Sequence, residues 1–286
     1  MVSPTPTSPA FRRPARGAIL LAGLTALCLL PIALIRRPRL RLPDWNPAPA
    51  LAMLATAMLA SLLLWSFATT WRFPQAFPDA LTLANWQNHT PGREAITTLG
   101  LGLATTVLAL LLSISHLHAA GRAGQGLRAL LHIPLLLPQI GFLFGLQILL
   151  LRLDLAGTAA AVILAHLLFV LPYVVFALAD PWQALDPRLA YGAASLGAGP
   201  LTTLRRVILP LLRQSITAAA AIGFAVSCTL YLPTLFAGQG RIATLATETV
   251  ALASGADRRI VAVTALAQAG LPLAGFLFVA TPLRRR

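Results

Sequence analysis

The stretch DPRLAYGAASLGAGPLTTLRRVILP, residues 186–210, lies between two long apolar runs, and the rest of the chain is organised around it. Asp186 is a good helix N-cap, and Pro187 suits the first helical position, where no backbone donor is needed. Apolar residues follow at helical spacing, and Gly197 suits a left-handed turn at the end of this first helix. A second short helix is predicted to begin at Pro200. The pattern predicts two short helices around a glycine elbow, and it is equally typical of an ordinary amphipathic loop at a lipid surface.

The composition predicts an integral membrane protein. Of the 286 residues, 57% are hydrophobic and 10% are charged, whereas soluble domains carry about 25% charged residues. The formal net charge is +14, and all 22 basic residues are arginine. These arginines stand at the ends of the apolar runs, which is a topology signal of membrane proteins rather than a nucleic-acid-binding patch. We therefore expect the lipid bilayer, and no nucleic acid, as a partner.

Seven apolar runs predict an all-α integral membrane fold. A spanning helix needs about 20 residues, and the runs cover approximately residues 18–35, 48–70, 95–115, 133–151, 157–178, 208–231 and 260–281. The first run is barely long enough, so two placements stay open for it, across the membrane or along its surface. The chain therefore divides into a disordered basic tail (1–17), an extra hydrophobic segment with a basic linker (18–47) and a six-span core (48–286).

Two polar segments separate apolar runs of the core. Residues 72–94 are predicted to form a polar loop. Residues 233–258 are too polar to span, and they are predicted to contain a short surface helix from about Ile242 to Ala253.

The distribution of arginine predicts the orientation. With the C-terminus in the cytoplasm, the inside segments hold thirteen arginines, at positions 36, 37, 39, 41, 122, 128, 188, 205, 206, 213, 284, 285 and 286. The outside segments then hold six, at positions 72, 93, 152, 241, 258 and 259. The positive-inside rule therefore places the C-terminus and the 186–210 stretch on the cytoplasmic side.

Motifs for catalysis, metal binding and cofactors are absent from the sequence. It lacks HExxH, CxxC, a GxSxG elbow and a phosphate-binding loop, so we predict no catalytic residue, no metal site, no cofactor and no ATP hydrolysis by this chain itself. Cys28 and Cys228 are predicted to be packing residues, and His116 and His118 to be interfacial. Every Asp and Glu lies in a loop or at the end of a run, which argues against a proton-coupled carrier. An energy source outside the membrane is the simpler explanation.

Uncharged polar residues inside the apolar runs have two interpretations. They can form hydrogen bonds between helices, or they can line a translocation path. His166 stands alone in its run and is predicted to be satisfied by a neighbouring helix, and the small residues of segment 218–223 permit close helix packing. The candidates for the path are Gln139, Ser227, Thr229 and Tyr231.

The 186–210 stretch resembles the cytoplasmic EAA loop of permease subunits of bacterial binding-protein-dependent ABC importers. The family pattern is Glu-Ala-Ala, three residues, Gly, nine residues, an apolar residue, one residue and Leu-Pro. The matching positions in this chain are Tyr191-Gly192-Ala193, Gly197, Val207 and Leu209-Pro210. Tyr191 stands where the family has Glu, so the acidic contact of the family cannot be made. Gly192 stands where the family has Ala, and it is expected to loosen the first helix by about 1 kcal/mol.

The resemblance implies a six-span type I ABC importer permease domain over 48–286, with a cytoplasmic coupling loop at 180–210. It implies that cytoplasmic ABC ATPase subunits dock on this loop, at Asp186, Leu189, Tyr191, Gly192, Ala193, Leu196, Gly197, Leu209 and Pro210. An extracytoplasmic solute-binding protein is then expected to deliver a small solute to the outer segments. A second permease half is expected to complete a homo- or heterodimer in the bacterial inner membrane.

Within that family, the thiamine, iron and polyamine group is the most similar. The segment LYLPTLFAGQGRIATLATETV, residues 230–250, resembles a thiamine permease subgroup. Two other classes stay open, an ion-gradient-driven secondary transporter and a non-transporting membrane assembly protein. Copurification in mild detergent discriminates between them, because an ATPase would accompany an importer permease.

Overall fold

Every regular element of the described chain is helical, apart from one antiparallel bridge between Ala68 and Leu81. The predicted tail (1–17) and the extra hydrophobic segment with its linker (18–47) lie outside the described residues. Residues 48–55 belong to an N-terminal unit, and Thr56–Arg286 form a second unit, to which all packing described below belongs. The computed structural model describes residues 48–71, 75, 77–120, 131, 133–255 and 257–280.

Thirteen α-helices and one π-helical turn make up the described chain. The α-helices are α1 Ala48–Phe67, α2 Ala84–Asn88, α3 Gly92–Ala120, α4 Ile133–Leu136, α5 Gln139–Arg152, α6 Ala159–Gln183, α7 Pro187–Ser195, α8 Pro200–Thr203, α9 Leu209–Leu211, α10 Arg213–Thr229, α11 Tyr231–Gly238, α12 Leu245–Ala253 and α13 Arg258–Ala280. The π-helical turn, Leu204–Ile208, joins α8 to α9. We call the continuous segment Pro200–Leu211 the helical arm.

Four helices, α1, α3, α6 and α13, are long and apolar enough to cross a membrane, with mean hydropathies between 1.8 and 2.5. They coincide with four of the predicted core runs. A fifth span results if α10 is counted together with the helical arm, to which it is bent by 78°. The described residues therefore confirm an all-α membrane fold, and they supply four or five of the six predicted core spans.

Prolines accompany the helix breaks within one of the other two predicted runs and at the end of the other. The run 133–151 divides at Pro138 into α4 and the 14-residue α5. The run 208–231 ends at Thr229, and α11 begins after one extended residue. Proline lacks an N–H, and its ring excludes the carbonyl four residues earlier from a continuous helix. Because Pro233 stands four residues after Thr229, the helix ends there and starts again.

The polar segment 233–258 contains the predicted surface helix. This helix is α12, which begins at Leu245 rather than at Ile242. The start is fixed by a capping box, in which the Thr244 hydroxyl accepts from the N–H of Thr247 and the Thr247 hydroxyl accepts from the N–H of Thr244. Such reciprocal bonds satisfy two backbone donors at a helix start.

The core is formed by α3, α6 and α10, which pack against one another, and by α13, which packs on α10 and α12. Their close approach depends on glycine. A Cβ at Gly223 would lie 2.8 Å from Val174 Cγ2, and one at Gly102 would lie 2.9 Å from the ring of Phe224. Gly275 of α13 leaves room at another part of that ring, where a Cβ would stand 3.1 Å away. The predicted close packing of α10 through small residues is confirmed.

Candidate coupling surface and translocation path

The 186–210 loop forms the two short helices that its sequence predicts. The preceding span, α6, continues to Gln183, so the expected loop 180–210 is shorter at its start. Asp186 caps α7, because its Oδ1 accepts a hydrogen bond from the backbone N–H of Arg188 at 2.9 Å. Pro187 occupies the first helical position, where a missing N–H leaves no helical bond unmade.

Gly197 forms the elbow in the left-handed conformation, with φ 79°. Its N–H donates to the carbonyl of Ala194 (2.9 Å), and the N–H of Ala198 donates to the carbonyl of Ala193 (3.0 Å). This pair of bonds is a Schellman motif, which satisfies carbonyls at the end of a helix. Beyond the two chain neighbours of Gly197, no heavy atom lies within 4 Å of the place where its Cβ would stand. The backbone angle, rather than lack of space, therefore selects glycine here.

The helical arm leads from the elbow to the next span. Within its π-helical turn, the N–H of Leu209 donates to the carbonyl of Leu204, five residues earlier. This wider turn directly precedes Pro210, whose missing N–H leaves the carbonyl of Arg206 without its usual helical donor. After Leu212 the chain continues into α10 at the 78° bend. The Leu-Pro that ends the sequence motif thus lies where the loop joins a span.

Three large apolar side chains on α7 and its cap are exposed to solvent, Leu189 by 43%, Tyr191 by 74% and Leu196 by 89%. Exposed apolar groups that cluster on one short element are typical of contact with a partner. Most of the candidate docking residues thus lie on one helix and its cap, whereas Leu209-Pro210 lie at the far end of the arm.

A cavity of about 610 Å³ lies between the 186–210 loop and the adjoining ends of α3 and α6. His118 of α3, Trp182 of α6 and Tyr191 of the loop are among the residues that line it. The rings of His118 and Trp182 meet edge to face, with centroids 6.5 Å apart. The loop therefore borders the ends of two spans. Sequence reasoning missed Trp182, because nothing local to it signals a contact with another helix.

His166 of α6 is buried, and it connects the two sides of the break between α10 and α11. Its Nδ1 lies 2.8 Å from Ser227 Oγ, and its Nε2 lies 2.8 Å from Thr234 Oγ1. The Thr234 hydroxyl donates its proton to the carbonyl of Leu230 (2.6 Å), so it accepts from Nε2–H, and Nδ1 accepts from the Ser227 hydroxyl. The prediction that a neighbouring helix satisfies His166 is confirmed.

The candidate path residues fall in two places. Ser227 and Thr229 lie at the end of α10, and Tyr231 begins α11, where it lines a cavity of about 270 Å³. Thr229 is exposed, and its hydroxyl donates to the carbonyl of Val226 at 2.8 Å. Gln139 is exposed at the first residue of α5, on a different helix. The structure thus groups three of the four candidates around one helix break.

An ion pair connects the end of segment 233–258 to the turn after α1. Arg259 donates through Nη2 to Asp257 Oδ2 (2.8 Å) and through Nε to Oδ1 (2.9 Å). The same guanidinium donates through Nη1 to the carbonyl of Thr69. The hydrogen bonds from Arg259 lower the pKa of the Asp257 carboxyl below its ordinary value. The pair therefore orders the entrance to α13.

These features define a class of protein, a multi-pass helical membrane protein that exposes a capped apolar loop beside the ends of two of its spans. The helices meet through glycine and through buried hydrogen bonds such as those of His166. No protein-family model matches the chain.

The chain is similar to permease proteins of bacterial transport systems. It is 40% identical over 185 residues to the inner membrane ABC transporter permease protein YnjC of Escherichia coli, a match that covers 65% of this chain and 36% of YnjC. It is 34% identical over 164 residues to the molybdenum transport system permease protein ModB of Mycobacterium tuberculosis, covering 51% of this chain and 62% of ModB. It is 29% identical over 106 residues to the spermidine/putrescine transport system permease protein PotC of Haemophilus influenzae, covering 37% of this chain and 41% of PotC.

The matched region thus spans less than two thirds of each of these relatives. All three are permease proteins, and they support the resemblance of the chain to permease subunits of ABC importers.

Proposed function

We propose that this chain is the membrane-spanning permease subunit of an ABC importer. The helical bundle contributes to the translocation path of a small solute, and the 186–210 loop couples that path to ATP hydrolysis by separate ATPase subunits. One observation carries the proposal, the exposure of Leu189, Tyr191 and Leu196 on a capped helix that borders the ends of α3 and α6. The 40% identity to an ABC transporter permease over 185 residues supports it.

Coupling follows from the rigidity of the elements that carry the exposed residues. The cap at Asp186 and the Schellman motif at Gly197 hold both ends of α7, so a force on its exposed face moves the helix as a unit. The helical arm continues from the elbow to α10, which packs directly on α3 and α6. Movement of docked ATPase subunits therefore reaches the core of the bundle and alternates access to the path.

The proposed orientation places the 186–210 loop and the C-terminus in the cytoplasm, on the strength of the arginine distribution. Segments 72–94 and 233–258 then face an extracytoplasmic solute-binding protein. A second permease half completes the path, as a homo- or heterodimer in the bacterial inner membrane. The candidate path residues at the α10–α11 break, Ser227, Thr229 and Tyr231, lie towards the outer side in this arrangement, and Gln139 contributes from α5.

Tyr191 is the position at which docking departs from the family. Its side chain is exposed, so its ring and hydroxyl are available to an ATPase surface in place of the acidic group. An acidic residue in the other permease half would make the docking asymmetric. We further place the chain in the thiamine, iron and polyamine group, which the 230–250 resemblance and the similarity to spermidine/putrescine permeases support.

The first experiment identifies the partner. The chain is purified from its own membrane in mild detergent, and an accompanying subunit that hydrolyses ATP and carries a phosphate-binding loop is the expected result. Uptake that follows an ion gradient, with no ATPase in the preparation, would instead establish a secondary transporter.

The second experiment tests the docking role of the elbow. A β-branched residue is strongly disfavoured at φ 79°, so Gly197→Val is expected to disrupt the end of α7 while the spans still insert. ATPase copurification and ATP-driven uptake should then fall sharply at normal expression. Two control variants should retain ATPase copurification and ATP-driven uptake. Gly197→Asn should do so because asparagine tolerates the left-handed turn, and Gly192→Ala because a Cβ there meets open space. Normal uptake by the valine variant would contradict the docking role.

A further inference from the structure

The cavity between α11 and α12 has the size and lining of a small-molecule subsite. Its volume is about 270 Å³, just below the range for ligand pockets, roughly 300–1,000 Å³, so it suits a small molecule or part of one. Leu235, Ile242 and Val250 form apolar walls, and Tyr231 and Glu248 add polar groups. An apolar cavity with a few convergent polar groups is the usual form of a binding site.

Glu248 gives this cavity its charge. Of the described residues that line it, Glu248 alone carries a formal charge. The side chain of Arg241 lies beside Gly157, where a Cβ would stand 3.1 Å from Arg241 Cδ. Across the described part of the chain, the ion pair present is that of Asp257 and Arg259, so Glu248 has no cationic partner there. An unpaired carboxylate beside an apolar cavity favours a positively charged occupant.

The position of Glu248 in the first turn of α12 does not by itself account for the site. A carboxylate there interacts favourably with the helix dipole. The capping of α12 is already complete without it, because Thr244 and Thr247 exchange the capping-box hydrogen bonds. The second acidic residue at such a position, Glu94 in the first turn of α3, lies away from this cavity and so provides a matched comparison.

We propose that this cavity is a subsite for an organic cation, with Glu248 as its counter-ion and Tyr231 as its aromatic contact. This inference rests on the proposed function and specifies its substrate class. An ammonium or other cationic nitrogen lies against the carboxylate, and the hydrocarbon part of the solute packs on Leu235, Ile242 and Val250. The ring of Tyr231 attracts the same positive charge. An oxyanion such as molybdate is repelled from the site, because the carboxylate carries charge of the same sign.

The test measures cation binding by the full-length chain in an uncharged maltoside detergent. Spermidine and thiamine are the cationic probes, and molybdate is the anionic probe. At least one cation should raise the thermal unfolding midpoint in a concentration-dependent way, whereas molybdate should leave it unchanged. Glu248→Gln should weaken the apparent affinity for that cation about tenfold or more, as expected for loss of a charge-assisted contact. Glu94→Gln should bind the cation as the unmodified chain does.

Three outcomes overturn the inference. They are stabilisation by molybdate alone, no stabilisation by either cation, and an equal loss of binding in the Glu94→Gln variant. The proposed function fails separately, if the unmodified chain carries no ATPase partner from its membrane. Glu248-dependent cation binding by a chain without an ATPase partner would support the cation subsite and contradict the importer function. A chain that carries an ATPase but is stabilised by molybdate alone would support the importer function and contradict the cation subsite.

Discussion

Substitution of Gly223 by alanine tests the close packing of α10 on α6. The added Cβ would lie 2.8 Å from Val174 Cγ2, 3.3 Å from Val170 Cγ1 and 3.5 Å from Thr106 Cγ2. All three neighbours are buried and β-branched, so their rotamers cannot easily move the methyl groups aside. The helices must therefore separate, or a side chain must leave its preferred rotamer.

The expected magnitude follows from two opposing effects. Overpacking of a tight core costs about 1–3 kcal/mol, and alanine gains about 1 kcal/mol over glycine in a helix interior. The control is Gly100→Ala in α3, where a Cβ meets open space and the propensity gain acts alone. The propensity effect cancels in the comparison, so Gly223→Ala should be less stable than Gly100→Ala by about 1–3 kcal/mol.

The assay is reversible unfolding in mixed micelles, with the free energy of unfolding compared between the two variants. A double variant, Gly223→Ala with Val174→Ala, should recover part of the loss, because the second change removes the methyl group nearest to the new Cβ. Equal stability of the Gly223→Ala and Gly100→Ala variants would refute the close approach of α10 and α6.

Two further predictions concern the segment between α11 and α13. Asp257→Asn should lower stability at neutral pH, because the pKa of Asp257 is lowered in the folded chain and its charged form is therefore stabilising. That contribution is fully present above the ordinary Asp pKa of about 4 and is lost as the pH falls through the lowered value. The unfolding midpoints of the unmodified chain and of the Asp257→Asn variant should therefore converge in acid. A difference between them that persists at low pH would contradict the ion pair. Thr244→Ala should cost α12 about 1 kcal/mol and speed exchange of its amide hydrogens, since the capping hydroxyl is lost. Thr249→Ala, in the same helix but outside the cap, is the control and should change exchange little.

The local features of the 186–210 loop could be predicted from its sequence. A cap at Asp186, a proline at the first helical position and a left-handed glycine each depend on a few adjacent residues, and the structure has all three. The sequence of Tyr191 and Gly192 also marks where the loop departs from the family pattern.

The helix breaks and the long-range contacts were harder to predict. Pro138 is visible in the sequence, yet the continuous apolar run around it favoured a single span, and the break was missed. The predicted run 208–231 stops before Pro233, close to the end of α10 at Thr229. The hydrogen bonds of His166 to two hydroxyl groups and the contact of Trp182 with His118 depend on which helices pack together. No local pattern specifies that packing, so these contacts require the three-dimensional structure.

The 78° bend between the helical arm and α10 gives the loop the geometry of a lever. The arm has 12 residues and a length of about 18 Å, and α10 has 17 residues and a length of about 25 Å. A displacement of about 3 Å at the Pro200 end corresponds to a rotation of about 10° at the bend. If the helical arm and α10 rotate together as one rigid unit, the far end of α10 moves by about 4 Å. That end is the helix break beside Tyr231, so a small movement at one surface becomes a larger one at the opposite end of the span.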